Sequence, residues 1–198
     1  MPNYCSNEVT IVFNEQADYD KFIAQMGIDE STDPYLSYNN EEQGYGFFDR
    51  FVPTPPEMLG DEGGWYDWRY ENWGTKWNPN FNRFETDDDT RTITMDMSTA
   101  WAPPMEFFTT FSGLFSSALI DVLYLEEGMQ FCGKAEFFQG FASDFYINEI
   151  PTAMYVEAGA VLDKEGNIDW EASDSYDLWE VLRTNFDKYY EMYEMESN

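Results

Sequence analysis

Four carboxylates near the C-terminus, Glu180, Asp187, Glu191 and Glu194, fall on one side of a 3.6-residue repeat. A neighbouring stripe is apolar: Leu178, Leu182, Phe186, Tyr189 and Tyr193. A helix of this kind buries its stripe and shows its acids to solvent, where a cationic surface can meet them. Acids four residues apart are separated by about 6 Å along the axis, comparable to neighbouring phosphates on one nucleic-acid strand. From Glu180 to Glu194 the spacing averages about one charge per 5 Å, against one per about 1.7 Å in duplex DNA. The helix alone is too sparse to imitate a duplex. The loop 29–42, the turn 57–62 or Asp87-Asp88-Asp89 would have to align with it.

A second group is aromatic. Trp65, Trp68, Trp73 and Trp77 lie in a segment that, over residues 65–91, holds six acids and four bases, whereas residues 14–62 hold twelve and two. A nearly neutral island of indoles could stack glycans or nucleobases. With Asp67 or Glu71 beside it, it could also serve a hydrolase that works through two carboxylates. If residues 65–73 are helical, Tyr66, Tyr70 and Trp73 share one face. Rings of this size more often plug the gap between a sheet and its covering loops, with Arg69 and Lys76 paired to Asp67, Glu71 or a ring face. Core is therefore the favoured reading for most of them.

The chain contains no histidine, which removes Ser-His and Cys-His nucleophile pairs and His-based zinc sites. It carries no P-loop and no dinucleotide fingerprint. Asp87-Asp88-Asp89 reads as a strand-connecting turn, and Asp163 to Glu171 has the residues of a calcium loop in the wrong order. The expectation is a protein that is not an enzyme, with no metal and no cofactor. Cys5 and Cys132 read as a reduced, buried pair.

Ten basic residues face 39 acidic ones, a net charge of −29 over 198 residues. That excludes a direct clamp on nucleic-acid phosphates or anionic lipid, since both need Lys and Arg to replace counterions. Charge of this density suggests disorder, but 17 Phe, 14 Tyr and 7 Trp supply ample surface for a core. The expected molecule is a folded domain with an acidic skin. No apolar run approaches the roughly 18 to 20 residues of a membrane span, and the first residues lack the basic and apolar regions of a signal peptide. The expected location is the cytoplasm. Acidity of this kind can also be plain solvation or adaptation to high salt.

The pattern of elements opens with a β-run, Glu8–Phe13, then a helix capped at Asn14 with Ala17, Phe22, Ile23 and Met26 at helical spacing up to Gly27. A loop over 28–43 leads to a strand at Tyr45–Phe48, and Pro53-Thr54-Pro55-Pro56-Glu57 ends it and starts a short helix. Thr90–Met97 reads as a strand and Pro103-Pro104 opens a helix through Leu114. Leu119–Tyr124, Met129–Phe138 and Phe141–Ile147 form a meander. A hairpin, Val156–Leu162 and Asn167–Trp170, turns at Asp163–Gly166, and a last helix runs from about Asp174 to Glu194. Two split β-α-β units predict an α+β fold: a ferredoxin-like sandwich with extra antiparallel strands and a C-terminal helix. Residues 1–150 make the ferredoxin-like domain with inserted loops; residues 151–198 make an acidic hairpin and helix packed on it.

Five segments carry a resemblance: Met1–Asn7, Phe48–Pro55, Trp65–Trp77, Thr99–Pro104 and Glu126–Gly133. In this order they resemble the YubB ferredoxin-like family of bacteriophages and plasmids, the tryptophan-rich segment most specifically, with Tyr4 where the family shows Trp. The resemblance implies a ferredoxin-like fold and a mobile-element origin, and it carries no catalytic residues across. Together with the charge, it leads to the expectation of an accessory protein that inhibits a basic, nucleic-acid-binding host enzyme of defence or repair, by DNA mimicry, in the host cytoplasm.

Overall fold

Strand β1 (Tyr4–Phe13) sets the geometry of the molecule. Its alternate residues Cys5, Asn7, Val9, Ile11 and Phe13 are buried on one face, while Ser6, Glu8, Thr10 and Val12 are half-buried on the other. Period-two alternation with both sides partly covered marks a central strand with a layer on each face. A computed structural model describes residues 3–27, 46–59, 64–173 and 175–197. The expected loop over 28–43 lies outside the described residues, as do most of the acids proposed to align with the last helix at 29–42 and 61–62.

Helix α1 (Gln16–Met26) follows, with Glu15 rather than Asn14 at the N-cap position and no side-chain capping bond, and is closed by Gly27 in the left-handed conformation at φ 70°. Helices α2 (Phe47–Phe51) and α3 (Trp65–Trp73) precede strands β2 (Asn80–Asp87) and β3 (Thr92–Ala100). Helix α4 (Met105–Leu114) leads to β4 (Ala118–Glu126), β5 (Phe131–Phe138) and β6 (Phe141–Ile147). A 3-10 turn at Pro56–Met58, where the sequence predicts a short helix after the prolines, a short α5 (Thr152–Glu157) and the 20-residue α6 (Leu178–Ser197) complete the described elements. All strand pairs are antiparallel, in the order β2-β3-β1-β4-β5-β6.

In β1-α1-β2 and β3-α4-β4 each pair of strands is split by one strand of the other unit. This is the ferredoxin-like arrangement, widened by the β5-β6 hairpin. On the inner face, α1, α2 and α4 press Phe22, Phe47, Phe48, Phe51, Phe107, Phe108 and Phe111 against β1, β3 and β4. On the outer face, α5 and α6 bury Met154, Tyr155, Leu178, Val181, Leu182, Phe186 and Tyr189 with Leu125, Cys132 and Ile147. The apolar stripe read for the last helix is the side that docks. Both cysteines are free and buried.

Three elements differ from expectation. Phe47 to Phe51 is a helix, not a strand, because Phe47, Phe48 and Phe51 are all buried, a spacing that one helical turn satisfies and alternation does not. Asn78 caps it from a distance: its Oδ1 accepts the backbone N–H groups of Phe48 (2.7 Å) and Asp49 (3.3 Å). The second strand of the ferredoxin core is Asn80–Asp87 instead, an edge strand with only Phe81 fully buried and therefore with little hydrophobic signal. The expected strand Val156–Leu162 is absent: Pro151 starts α5, whose Met154 and Tyr155 are buried while Val156 is exposed. The hairpin shrinks to one bridge, Leu162 to Ile168, around Asp163, whose carboxylate accepts the N–H groups of Glu165 and Asn167.

Candidate functional site

The outer face of the sheet carries one carboxylate on each of five consecutive strands: Glu85 on β2, Asp96 on β3, Glu8 on β1, Asp121 on β4 and Glu136 on β5. The register places Glu8 directly opposite Asp96 and Asp121 directly opposite Glu136. Like charges in opposed positions on adjacent strands destabilise a sheet, yet this sheet has two such pairs. Neighbouring strands are about 4.8 Å apart, so each opposed pair is close; between the pairs the acids are offset by two residues, since Asp121 stands opposite Thr10 and Glu85 opposite Thr94.

Three of the chain's ten cations pair with these acids. Arg183 of α6 makes a bidentate contact with Glu8, through Nε to Oε2 at 2.9 Å and a second, shorter bond to Oε1. Lys134 reaches Glu136 at 3.1 Å, and Arg83 reaches Glu85 at 2.5 Å. The compensation is incomplete. Burial, then the charge of Glu8, raises the Asp96 carboxyl above its ordinary value. Burial, then the charge of Glu136, does the same to Asp121.

Helix α6 lies across the same face. Its Glu180, Asp187, Glu191 and Glu194 are exposed on one side of the helix. Asp187 lies near Lys134, and Glu180 near Arg183. Between helix and sheet is an open cavity of about 400 Å³, lined by Glu8, Thr10, Asp121, Lys134, Arg183 and Asp187. The structure therefore brings the N-terminal half of the acidic helix beside the sheet carboxylates, while Glu191 and Glu194 continue beyond the cavity. Asp87, Asp88 and Asp89 form an exposed turn, with Asp87 Oδ1 accepting the N–H groups of Asp89 and Thr90. Sequence reasoning does not find the sheet acids, because each is a single polar residue in an alternating strand and only the register reveals the opposition.

The four tryptophans form no shared open platform. Trp73 is fully buried and donates its indole N–H to the Val52 carbonyl at 2.8 Å. Trp68 packs edge-on against it, and the Arg69 guanidinium lies over Trp73 (4.6 Å) and Trp65 (5.3 Å) while pairing with Asp49 at 3.5 Å. Trp77 is half-buried. It joins Trp101 and Tyr66 around the Lys76 ammonium, at 4.7, 5.5 and 5.8 Å from the ring centroids. The exposed indoles are instead Trp101 and Trp170. Trp101 has φ 67°, a conformation that costs a bulky residue about 1–3 kcal/mol.

The five segments that carry the resemblance meet at one end of the sheet. Buried Asn7 donates to Thr99 Oγ1 at 3.0 Å, Trp101 N–H donates to the Asn3 carbonyl at 3.0 Å, and Thr75 Oγ1 donates to the Ala100 carbonyl at 2.9 Å. Trp73 ties α3 to Val52, and the buried Glu126 carboxylate accepts the Gly128 and Met129 N–H groups.

No curated protein matches the chain. The crystal structure of protein api92 from Yersinia pseudotuberculosis is similar at 9% identity, over 73% of this chain and 98% of that one, with a TM-score of 0.47. Residues 72–163, from the end of α3 through the turn after α5, match the family model described as the ferredoxin-like domain in Api92-like protein.

Proposed function

We propose that the protein acts by binding: its acidic outer face occupies the basic nucleic-acid channel of a host defence or repair enzyme and inhibits it. The observation that carries this reading is the opposition of Glu8 to Asp96 and of Asp121 to Glu136 on a rigid sheet. A fold gains nothing from like charges placed opposite each other, and the cost persists where the arrangement serves something else. A cationic channel would relieve the repulsion on binding. It would also meet acids already fixed by strands and a docked helix, so that little ordering entropy is lost, and the field of a strongly anionic face speeds the encounter. The bacteriophage or plasmid origin implied by the YubB resemblance, with action in the host cytoplasm, belongs to the same proposal.

The test is displacement of a labelled duplex from a restriction, CRISPR-effector or repair enzyme. The protein is expected to release the duplex at 50 mM salt and to lose potency by at least about tenfold at 200 mM, as a complex built on several charge contacts must. The triple variant D96N/D121N/E136Q is expected to lose most of this activity. A control of equal net charge, D163N/E165Q/E171Q, is expected to keep it. Equal loss in both variants, or no displacement by the native chain from any of the three enzyme classes, refutes the proposal.

A further inference from the structure

The opposite face of the sheet ends in a pocket of about 400 Å³ that the acidic row does not touch. The C-terminal end of α3, the Trp101–Pro103 connection, the start of α4 and the β4-β5-β6 edge border it, and it is open to solvent, with Tyr70, Trp101, Glu106, Asp144 and Tyr146 all exposed. Its walls are rings: Tyr70, Trp101, Phe131 and Tyr146. Its polar groups are the carboxylates of Glu106 and Asp144 and the hydroxyl of Tyr124, and no Lys or Arg lines it.

Two glycines shape these polar groups. Tyr124 Oη donates to Asp144 Oδ1 at 2.6 Å by passing over Gly133, where a Cβ would stand 2.1 Å from that oxygen. A Cβ on Gly74 would stand 2.2 Å from Glu106 Oε2. Each polar group thus occupies space that any other residue would close. Among the described residues Glu106 has no hydrogen bond or ion pair, and the second oxygen of Asp144 has no protein partner.

We propose that this pocket binds an organic cation, a substituted ammonium or a guanidinium group. Aromatic faces attract cations and rank among the best hosts for quaternary ammonium groups. A neutral ligand would desolvate two carboxylates without pairing them, and an anion would be repelled by both. One of these rings already meets a cation: Lys76, which lines no part of the pocket, sits over Trp101 at 5.5 Å from its ring centroid. Trp101 is 38% exposed and also forms one wall of the pocket. The pocket and the acidic row lie on opposite faces, so this proposal stands apart from the inhibitor reading.

Isothermal titration of the full chain with choline and with 3,3-dimethylbutan-1-ol, its neutral isostere, tests the proposal. Choline is expected to bind saturably in the millimolar range and at least about fivefold more tightly than the isostere. E106Q and D144N are each expected to weaken choline by about threefold or more while leaving the isostere unchanged. Trp101→Gly removes a ring at a φ that glycine adopts freely, so the fold survives, and choline binding is expected to be lost. A Gly-Gly-Arg-Gly-Gly peptide that binds more tightly than choline identifies the source as a partner's side chain; tighter choline identifies a free ammonium compound. The proposal is overturned if neither probe binds, if the isostere matches choline, or if E106Q and D144N bind choline as the native chain does.

Discussion

Asp121→Asn separates what the acidic face does for folding from what the proposed binding requires of it. The Asp121 side chain has no hydrogen bond or ion pair among the described residues; its nearest charged neighbours are Glu136, directly opposite, and Lys134. Asparagine keeps the shape and removes one side of the repulsion. Opposed strand residues of like charge cost about 0.2–1 kcal/mol, and two charges about 5 Å apart in water repel by roughly 0.8 kcal/mol before salt screening. Lys134 offsets part of this, so a gain of about 0.5 kcal/mol is expected. In a chain of this length that is about 1–2 °C in Tm.

The pH dependence has a definite sign. The folded-state value of Asp121 lies above its ordinary 3.8, so the native state holds this proton more tightly than the unfolded chain does. The native chain is therefore penalised above the folded value, and the penalty is relieved as the pH falls through that value toward 3.8. The advantage of D121N should be greatest near pH 7, shrink on acidification toward pH 4.5, just above the isoelectric point of about 4.1, and be reduced by 1 M NaCl, which screens the Glu136 repulsion but not the cost of burying the charge. Urea melts at each condition measure it. In the duplex-displacement assay the same variant should bind more weakly although it folds more tightly. A variant less stable than the native chain at pH 7, or a gain that persists unchanged at 1 M NaCl, refutes the reasoning.

Trp73→Phe keeps a ring but loses the indole bond to Val52 and leaves a void in the core, and is expected to cost about 1–3 kcal/mol in urea unfolding. Gly133→Ala drives a methyl into Tyr124 Oη; it should destabilise by at least about 1–3 kcal/mol and abolish the Tyr124–Asp144 bond, readable in the ultraviolet titration of tyrosine. The Cys132 thiol, pushed up to about 12 by burial, should resist Ellman's reagent at pH 8 in the native state and react only at the rate of unfolding. Arg183→Met leaves Glu8 facing Asp96 without its guanidinium; it should lower stability by about 0.5–1.5 kcal/mol at low salt, and less at 1 M NaCl.

The order of elements was legible where one face is strongly apolar. β1, β3, β4, β5 and β6 announce themselves by alternation or by β-rich runs, and α6 by its Leu178–Tyr189 stripe. The polar edge strand Asn80–Asp87 was not legible, since an edge with one buried residue carries almost no periodic signal. Phe47 and Phe48 misled for the opposite reason: two adjacent phenylalanines satisfy a strand or a single helical turn, and the cap that decides between them comes from Asn78, thirty positions away in the chain. The glycines at 74 and 133 carry no sequence signal of their role, because the Glu106 and Tyr124 oxygens that fill the space of their missing side chains come from distant or facing strands and helices.

The same limit explains why the acids of α6 could be found from sequence and those of the sheet could not. A helix places its functional neighbours three and four residues apart, so one stretch of chain contains the whole pattern. A sheet places them on different strands: Glu8 meets Asp96 across 88 positions and Asp121 meets Glu136 across a hairpin. Each is unremarkable alone, and the repulsion exists only once the register is set. A one-residue slip of β3 would turn Asp96 toward the phenylalanine core and expose Met95 or Met97, so the hydrophobic core on the inner face is what holds the like charges together on the outer one. The energy that fixes the register comes from one side of the sheet, and the surface that a cationic partner would meet lies on the other.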